Sequence, residues 1–153
     1  MSTLKSFEDL NCWKAGTEVR RFIMKLIKKF PSEEKYALTD DMRRASRSVT
    51  HNIAEGFGRF HFKDNTRFCR YTKGSLTELV DQLITAQDEG YITAEEYKTG
   101  RELIDTAIRL LNGYTNYLRN AISKSDTVSD VEIEYIANNH QQTTNNKQLT
   151  TNN

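Results

Sequence analysis

The sequence predicts an all-α fold, an antiparallel up-down-up-down bundle of four helices followed by a disordered tail. Apolar residues recur at helical spacing in four segments, and the connections between these segments are short. The 153 residues include one proline and seven glycines, so long uninterrupted helices are permitted. We predict a bundle domain over residues 1–124 and a tail over residues 125–153. That tail is rich in Asn, Thr and Gln, and it has too few apolar residues to offset the entropy of ordering.

The first helix is expected to start near Glu8 and Asp9, whose charges favour a helix N-terminus. Pro31 is expected to end it, because the residue before a proline is pushed out of the α region. The predicted core-facing residues of this helix are Val19, Phe22, Ile23, Leu26 and Phe30.

The second helix is expected to begin with Thr39 as N-cap, followed by an acidic first turn of Asp40 and Asp41. Gly56 and Gly58 are interpreted as the signal that ends it. The predicted core-facing residues are Met42, Ala45, Ser46, Val49, Ile53 and Gly56. A structural motif, Asn52, Ile53, Glu55 and Gly56, is expected to set how this helix packs.

The third helix is predicted from about Asp64 to Asp88, with Gly90 as its C-cap. A capping box of Thr93 and Glu96 opens the fourth helix, which is expected to end near Lys124. Tyr114 and Tyr117 on this helix are interpreted as core residues. Rings that flank basic residues, at Phe60, Phe62 and Tyr71, could stack on unpaired bases. The alternative, that Phe60 and Phe62 pack the loop between the second and third helices, is the favoured interpretation.

The apolar arcs of the third and fourth helices are wider than one bundle needs to cover, which indicates a subunit interface. Ala54, on the second helix, faces away from the core and is expected to permit close approach of another subunit. The predicted oligomer interface consists of Ala54, Leu76, Val80, Ile84 and Ile108.

The strongest charge feature lies within residues 42–73, which contain eight Lys or Arg against Glu55 and Asp64. Arginine suits phosphate oxygens, so a basic stripe on two adjacent helices favours RNA binding. The alternative is a solvated face on a scaffold that only self-assembles or docks a protein partner. The predicted RNA-binding residues are Arg43, Arg44, Arg47, Arg59, Lys63, Arg67 and Arg70.

No group of residues predicts catalysis, a cofactor or a metal. His51 lies one helical turn from Glu55 but is interpreted as an ordinary surface histidine. Cys12 and Cys69 have no partner at ligand spacing and are interpreted as buried thiols. With no long apolar run and no signal sequence at the N-terminus, the chain is predicted to be cytoplasmic and without a membrane partner.

Several segments resemble one bacterial protein family. The segment Asn52-Ile53-Ala54-Glu55-Gly56 is the most specific of them. The others are Trp13, Ala15 and the stretches at residues 7–10, 30–31, 34–39, 43–45, 57–59, 74–79 and 111–113. Over residues 7–120 the chain resembles the four-helix bundle proteins encoded in intervening sequences of bacterial large-subunit ribosomal RNA genes.

This resemblance implies a four-helix bundle assembled as a homopentamer, without an established enzymatic activity. The family is also similar to accessory proteins of diversity-generating retroelements, which are basic pentameric bundles that bind RNA and a reverse transcriptase. A non-enzymatic oligomer that contacts RNA or a protein partner is therefore the expected function.

Overall fold

The structure, a computed structural model, describes residues 4–59 and 61–127, and this part of the chain contains α-helices and no strand. The helices are α1 (Asn11–Leu26), α2 (Leu38–Phe57), α3 (Phe62–Asp88) and α4 (Ala94–Thr127). One-turn 3₁₀ helices lie at Phe7–Asp9, Ile27–Lys29 and Ser32–Glu34. The predicted all-α class with four helices is confirmed.

All four helices contribute fully buried apolar side chains to one core. The periodicity of the sequence predicts one apolar face on each helix, and burial of that face is the main stabilising term of the fold. Its largest buried members are Val19, Ile23, Met42, Val49, Ile53, Leu76, Leu79, Leu83, Ile104, Leu111 and Leu118.

Helices α2 and α3 pack in antiparallel directions. The hydroxyl of Ser75 donates a hydrogen bond of 2.9 Å to the hydroxyl of Ser48. One end of the pair brings Gly56 of α2 against Asn65 of α3. Residue numbers therefore rise along α3 as they fall along α2, and residues 58–61 connect the two helices at one end of the bundle.

Helices α3 and α4 are antiparallel as well. The amide of Asn65, near the start of α3, donates to the Tyr114 hydroxyl at 2.8 Å. Near the other end, Leu83 of α3 lies against Gly100 of α4. Charges at the start of α3 therefore share one end of the bundle with the part of α4 around Tyr114.

The predicted N-cap of α2 is wrong. Helix α2 begins at Leu38, one residue before Thr39, and Thr39 is buried within its first turn. The carboxylate of Glu34 accepts a hydrogen bond from the Leu38 backbone N–H at 3.1 Å. A side chain from the preceding 3₁₀ turn thus satisfies a free helix N–H, as an N-cap normally does.

The ends of the other helices agree with the sequence in part. The capping box of α4 is confirmed, because the Glu96 N–H donates to the Thr93 hydroxyl and the Thr93 N–H donates to the Glu96 carboxylate. Gly90 has a positive φ of 74° after α3, as a C-cap glycine should. Glu8 and Asp9 lie in a 3₁₀ turn rather than in α1.

Residues Met1–Arg119 form one compact unit, which includes the core. Within the unit Asn120–Asn153, the described residues continue α4 to Thr127, beyond the predicted end near Lys124. The rest of the predicted tail lies outside the described residues. None of the described helices combines the length and hydrophobicity needed to cross a membrane.

Candidate nucleic-acid interface

The connection between α2 and α3 brings the cations at the end of α2 close to those at the start of α3. Arg59 follows α2, and Lys63, Arg67 and Arg70 lie in the first three turns of α3. All four side chains are exposed. The predicted basic stripe is therefore densest at this end of the bundle.

Carboxylates of the same helix neutralise Arg43 and Arg44. Arg43 lies 3.6 Å from the Asp40 carboxylate, and Arg44 lies 3.5 Å from it and also pairs with Asp41. The hydrogen bond to Asp41, followed by the charges of Asp40 and Asp41, raises the pKa of Arg44, and Glu78 of α3 adds to the effect. The charge excess predicted for residues 42–73 left out Asp40 and Asp41, which lie just before that window.

Arg59 and Arg67 also pair with carboxylates, but each has a second contact with an aromatic ring. Arg59 pairs with Glu55 and Arg67 lies 3.6 Å from Asp64. The two guanidinium groups lie 5.2 Å and 5.7 Å from the centre of the Phe68 ring. These distances are within the range of cation–π interactions.

Arg47, Lys63 and Arg70 differ from these four arginines. Each side chain is exposed, and no carboxylate of the described residues lies within ion-pair distance of it. Of the seven predicted RNA-binding residues, these three present an unpaired positive charge. We call Arg47, Arg59, Lys63, Arg67 and Arg70 the basic surface.

A groove follows the outer face of α2 next to the basic surface. It has a volume of about 700 Å³ and is open to solvent. Glu55 in its wall pairs with Arg59, so the pairing gives no support for acid–base chemistry with His51. The lining residues are His51, Ala54, Glu55, Gly58 and Arg59.

Asn52 and Ile53, two of the predicted motif residues, have identifiable packing roles in α2. The Asn52 amide donates to the backbone oxygen and the hydroxyl of Ser48, at 2.9 Å and 2.8 Å, along the contact with α3. Ile53 is buried in the core. Ile53 therefore packs α2 against its neighbours, while Asn52 bonds within α2 to Ser48, whose hydroxyl accepts from Ser75 of α3.

Gly56 and Gly58 were interpreted together as the signal that ends α2, and Gly56 was also placed on its core-facing side. Helix α2 does end at Phe57, but Gly56 does not stop it. It lies within α2, and a Cβ atom there would come 2.7 Å from Asn65 Oδ1 and 2.8 Å from Phe68 Cβ. Glycine is needed because α3 approaches this closely. Gly58, the residue after the helix, is its C-cap.

The predicted interface residues occupy different environments. Leu76 is 1% exposed in the core of the protomer and cannot contact a partner, so it drops out of the predicted set. Val80, Ile108 and Ala54 are half-buried, and Ile84 is 41% exposed. The four remaining residues are accessible to another subunit.

The aromatic residues also depart from the prediction. Tyr114 is half-buried and hydrogen-bonded to Asn65, but Tyr117 is 58% exposed and is not a core residue. Tyr71 lies beside Phe68 with a centroid distance of 5.7 Å and perpendicular planes. Phe68 and Tyr71 stand at i and i+3, and each directly follows an arginine; this spacing was the available signal for the cluster.

Cys12 and Cys69 are buried and reduced, as predicted. Burial, followed by the nearby Cys69, raises the pKa of Cys12 to about 12, and burial likewise raises the pKa of Cys69. Among the described residues, no group of three or more His, Cys, Asp or Glu is arranged to hold a metal ion.

A comparison with models of known protein families shows the family of this chain. Residues 8–113 match the model of the 23S rRNA-intervening sequence protein family. The chain belongs to this family. The match includes the motif in α2 and the whole basic surface, and it confirms the resemblance seen in the sequence. A search of curated proteins gave no significant match. Membership of the 23S rRNA-intervening sequence protein family shows what the chain is related to, and its molecular role is argued from the basic surface.

Proposed function

We propose that this member of the family is a non-enzymatic, oligomeric helical bundle that binds structured RNA through the basic surface. One observation carries the proposal: Arg47, Lys63 and Arg70 are exposed, and no carboxylate of the described residues lies within ion-pair distance of them. Phosphates of a folded RNA supply the missing negative charge, and they release condensed counterions on binding.

Arg59 and Arg67 can join this contact although each has an ion pair. An exposed ion pair contributes only about 0.2–1 kcal/mol. Glu55 and Asp64 are therefore weak competitors for a phosphate that contacts these arginines. Arginine also presents a planar fork that fits two phosphate oxygens.

Arg43 and Arg44 are left out of the proposed contact. They face Asp40 and Asp41, and Arg44 is also near Glu78. A phosphate approaching Arg44 would meet these carboxylates as well. Their repulsion offsets the attraction, so this part of α2 is expected to contribute little to RNA affinity.

The test is the salt dependence of binding to a hairpin RNA. Lys63→Gln/Arg70→Gln is expected to weaken binding by about 10-fold and to reduce the slope of log affinity against log salt by about 2, because two phosphate contacts are lost. Fluorescence anisotropy at several salt concentrations measures both quantities.

Lys25→Gln/Lys98→Gln provides a control with the same loss of charge. Lys25 on α1 and Lys98 on α4 are exposed and lie outside the basic surface. This variant is expected to bind the RNA nearly as tightly as the unmodified protein. Equal affinities and equal slopes for all three proteins would contradict the proposal.

A second candidate function is self-assembly, as a scaffold without nucleic-acid binding. Ile84 on α3 is exposed, and Val80 and Ile108 are half-buried apolar residues on the same pair of helices. Exposed isoleucine of this kind favours contact with another subunit. The family resemblance implies five copies in such an assembly.

Native mass spectrometry distinguishes assembly from a monomer. The unmodified chain is expected to show a multiple of 17.7 kDa, and Ile84→Glu is expected to lower that mass. Tyr36→Glu changes a residue that is 85% exposed and serves as the control. A monomeric unmodified chain would contradict assembly, and an assembly that fails to bind RNA would favour the scaffold function.

A further inference from the structure

A cluster of aromatic rings and arginines lies within the basic surface. The Phe68 ring is contacted by the guanidinium groups of Arg59 and Arg67, and its edge-to-face neighbour is Tyr71. Tyr71 is 50% exposed, whereas Leu76, Leu79 and Leu83 of the same helix are buried in the core. The cluster therefore presents an aromatic ring to solvent amid positive charge.

Phosphate binding alone does not need these rings. An RNA duplex presents phosphates and ribose hydroxyls to a protein, while its bases are stacked inside the helix. Exposed aromatic side chains instead stack on bases that are not paired, in loops and bulges. Tyr71 thus adds a feature that only an unpaired base can use.

Tyr36, on the connection between α1 and α2, is also exposed but has different surroundings from Tyr71. Tyr36 is more exposed than Tyr71, but its described ring contact is a single lysine, Lys35. Tyr71 instead belongs to a connected set in which Phe68 is fixed by two arginines and Arg59 is held by Glu55. The orientation of Tyr71 is therefore supported by its neighbours.

We propose that Tyr71 is a stacking site for an unpaired base of an RNA loop or bulge, with Arg59 and Arg67 binding the phosphates on either side. Phe68 acts as a positioning residue, because its ring is already in contact with both arginines. The open groove beside Arg59, of about 700 Å³, gives a neighbouring nucleotide room to lie against α2. This inference rests on the proposed RNA binding and names its substrate class.

The experiment compares two RNAs of equal length, a hairpin with an unpaired loop and a fully paired duplex. The unmodified protein is expected to bind the hairpin about 10-fold more tightly, the effect of stacking on one base. Tyr71→Ala should abolish this preference, and Tyr71→Phe should retain it because the ring remains. Tyr36→Ala is the matched control and should leave both affinities unchanged.

The salt dependence separates stacking from a charge effect. Tyr71 carries no charge, so Tyr71→Ala is expected to leave the salt slope unchanged, while Lys63→Gln/Arg70→Gln should lower it. Thermal unfolding of Tyr71→Ala checks that the exposed substitution has kept the fold.

Three outcomes overturn the inference, and only one of them also rejects the proposed RNA binding. Equal binding of hairpin and duplex, or a preference that survives Tyr71→Ala, rejects the stacking site but leaves the proposed RNA binding intact. Failure of the unmodified protein to bind either RNA rejects both.

Discussion

The two halves of α3 carry opposite charges although the helix is continuous over 27 residues. Residues 62–73 contain four Lys or Arg against one acidic residue, and residues 74–88 contain three acidic residues and no Lys or Arg. The first half lies beside Arg59 of the basic surface, and the second half brings Glu78 towards Arg44. Arg44 and Arg59, both within residues 42–73, therefore have different surroundings. Arg59 lies beside the basic half of α3, and Arg44 lies beside its acidic half.

This difference indicates that the position of carboxylates, more than the number of arginines, decides which surface is available to a phosphate. Arg43 and Arg44 carry the same charge as Arg70, but Asp40 and Asp41 lie within reach of them. Acidic residues in the second half of α3 also make contacts within the fold, such as the hydrogen bond that Glu78 accepts from Gln82. Substitutions can alter the basic half and the acidic half of α3 separately.

The largest expected effect on stability comes from a substitution where α2 closely approaches the basic half of α3, residues 62–73. Gly56→Ala would place a Cβ atom against Asn65 and Phe68, at distances that require these residues to move. Overpacking of this kind lowers the free energy of unfolding by about 1–3 kcal/mol. Urea unfolding followed by circular dichroism measures the change.

Gly74, in the acidic half of α3 (residues 74–88), is the matched control for the substitution of Gly56. It is exposed within α3, and a Cβ atom there would meet nothing within 4 Å. Gly74→Ala is expected to raise the free energy of unfolding by about 0.5–1 kcal/mol, because alanine restricts the unfolded chain and favours the helix. A loss of stability instead would show that another copy packs on this glycine. Equal effects at Gly56 and Gly74 would contradict the difference in packing.

A smaller effect is expected at the acidic end, where Glu96 caps α4 and accepts a hydrogen bond from Lys29 at 2.6 Å. Glu96→Gln is expected to lower the free energy of unfolding by about 0.2–1 kcal/mol, because glutamine can still complete the capping box but loses the ion pair with Lys29. The Lys29 hydrogen bond, followed by the Thr93 backbone N–H, lowers the pKa of Glu96. Its stabilisation is therefore present above the ordinary pKa of 4.5 and is lost as the pH falls through the lowered value.

Urea unfolding at neutral and at acid pH tests this dependence. The difference in stability between the unmodified protein and Glu96→Gln should be full at neutral pH and should shrink in acid. A difference that stays constant across this range would contradict the role assigned to the charged carboxylate.

The sequence predicted the elements of the fold because each depends on a local pattern. Apolar periodicity located four helices, and the Thr93–Glu96 box and Gly90 marked two of their ends correctly. Periodicity gives the direction in which a side chain points along its own helix. It does not give the distance to the next helix, which is why Gly56 looked like a stop and Leu76 like an interface residue.

The candidate site was predicted only in part, for a related reason. The density of arginines was visible, but their ion pairs depend on which carboxylates share a face and on side-chain orientation. Asp40 and Asp41 were assigned to a helix start and were not counted against Arg43 and Arg44. Contacts of Phe68 with Arg59 join residues on opposite sides of a turn, which no periodic pattern reveals.

The most direct measurement compares one hairpin RNA binding to two charge-matched variants, Lys63→Gln/Arg70→Gln and Arg43→Gln/Arg44→Gln. Each removes two positive charges, but the first pair has no carboxylate partner in the described structure and the second is ion-paired. The first variant is expected to bind about 10-fold more weakly, with a smaller salt slope, while the second stays within about twofold of the unmodified protein. Equal weakening by the two variants would contradict the claim that unpaired cations at the basic half form the RNA contact.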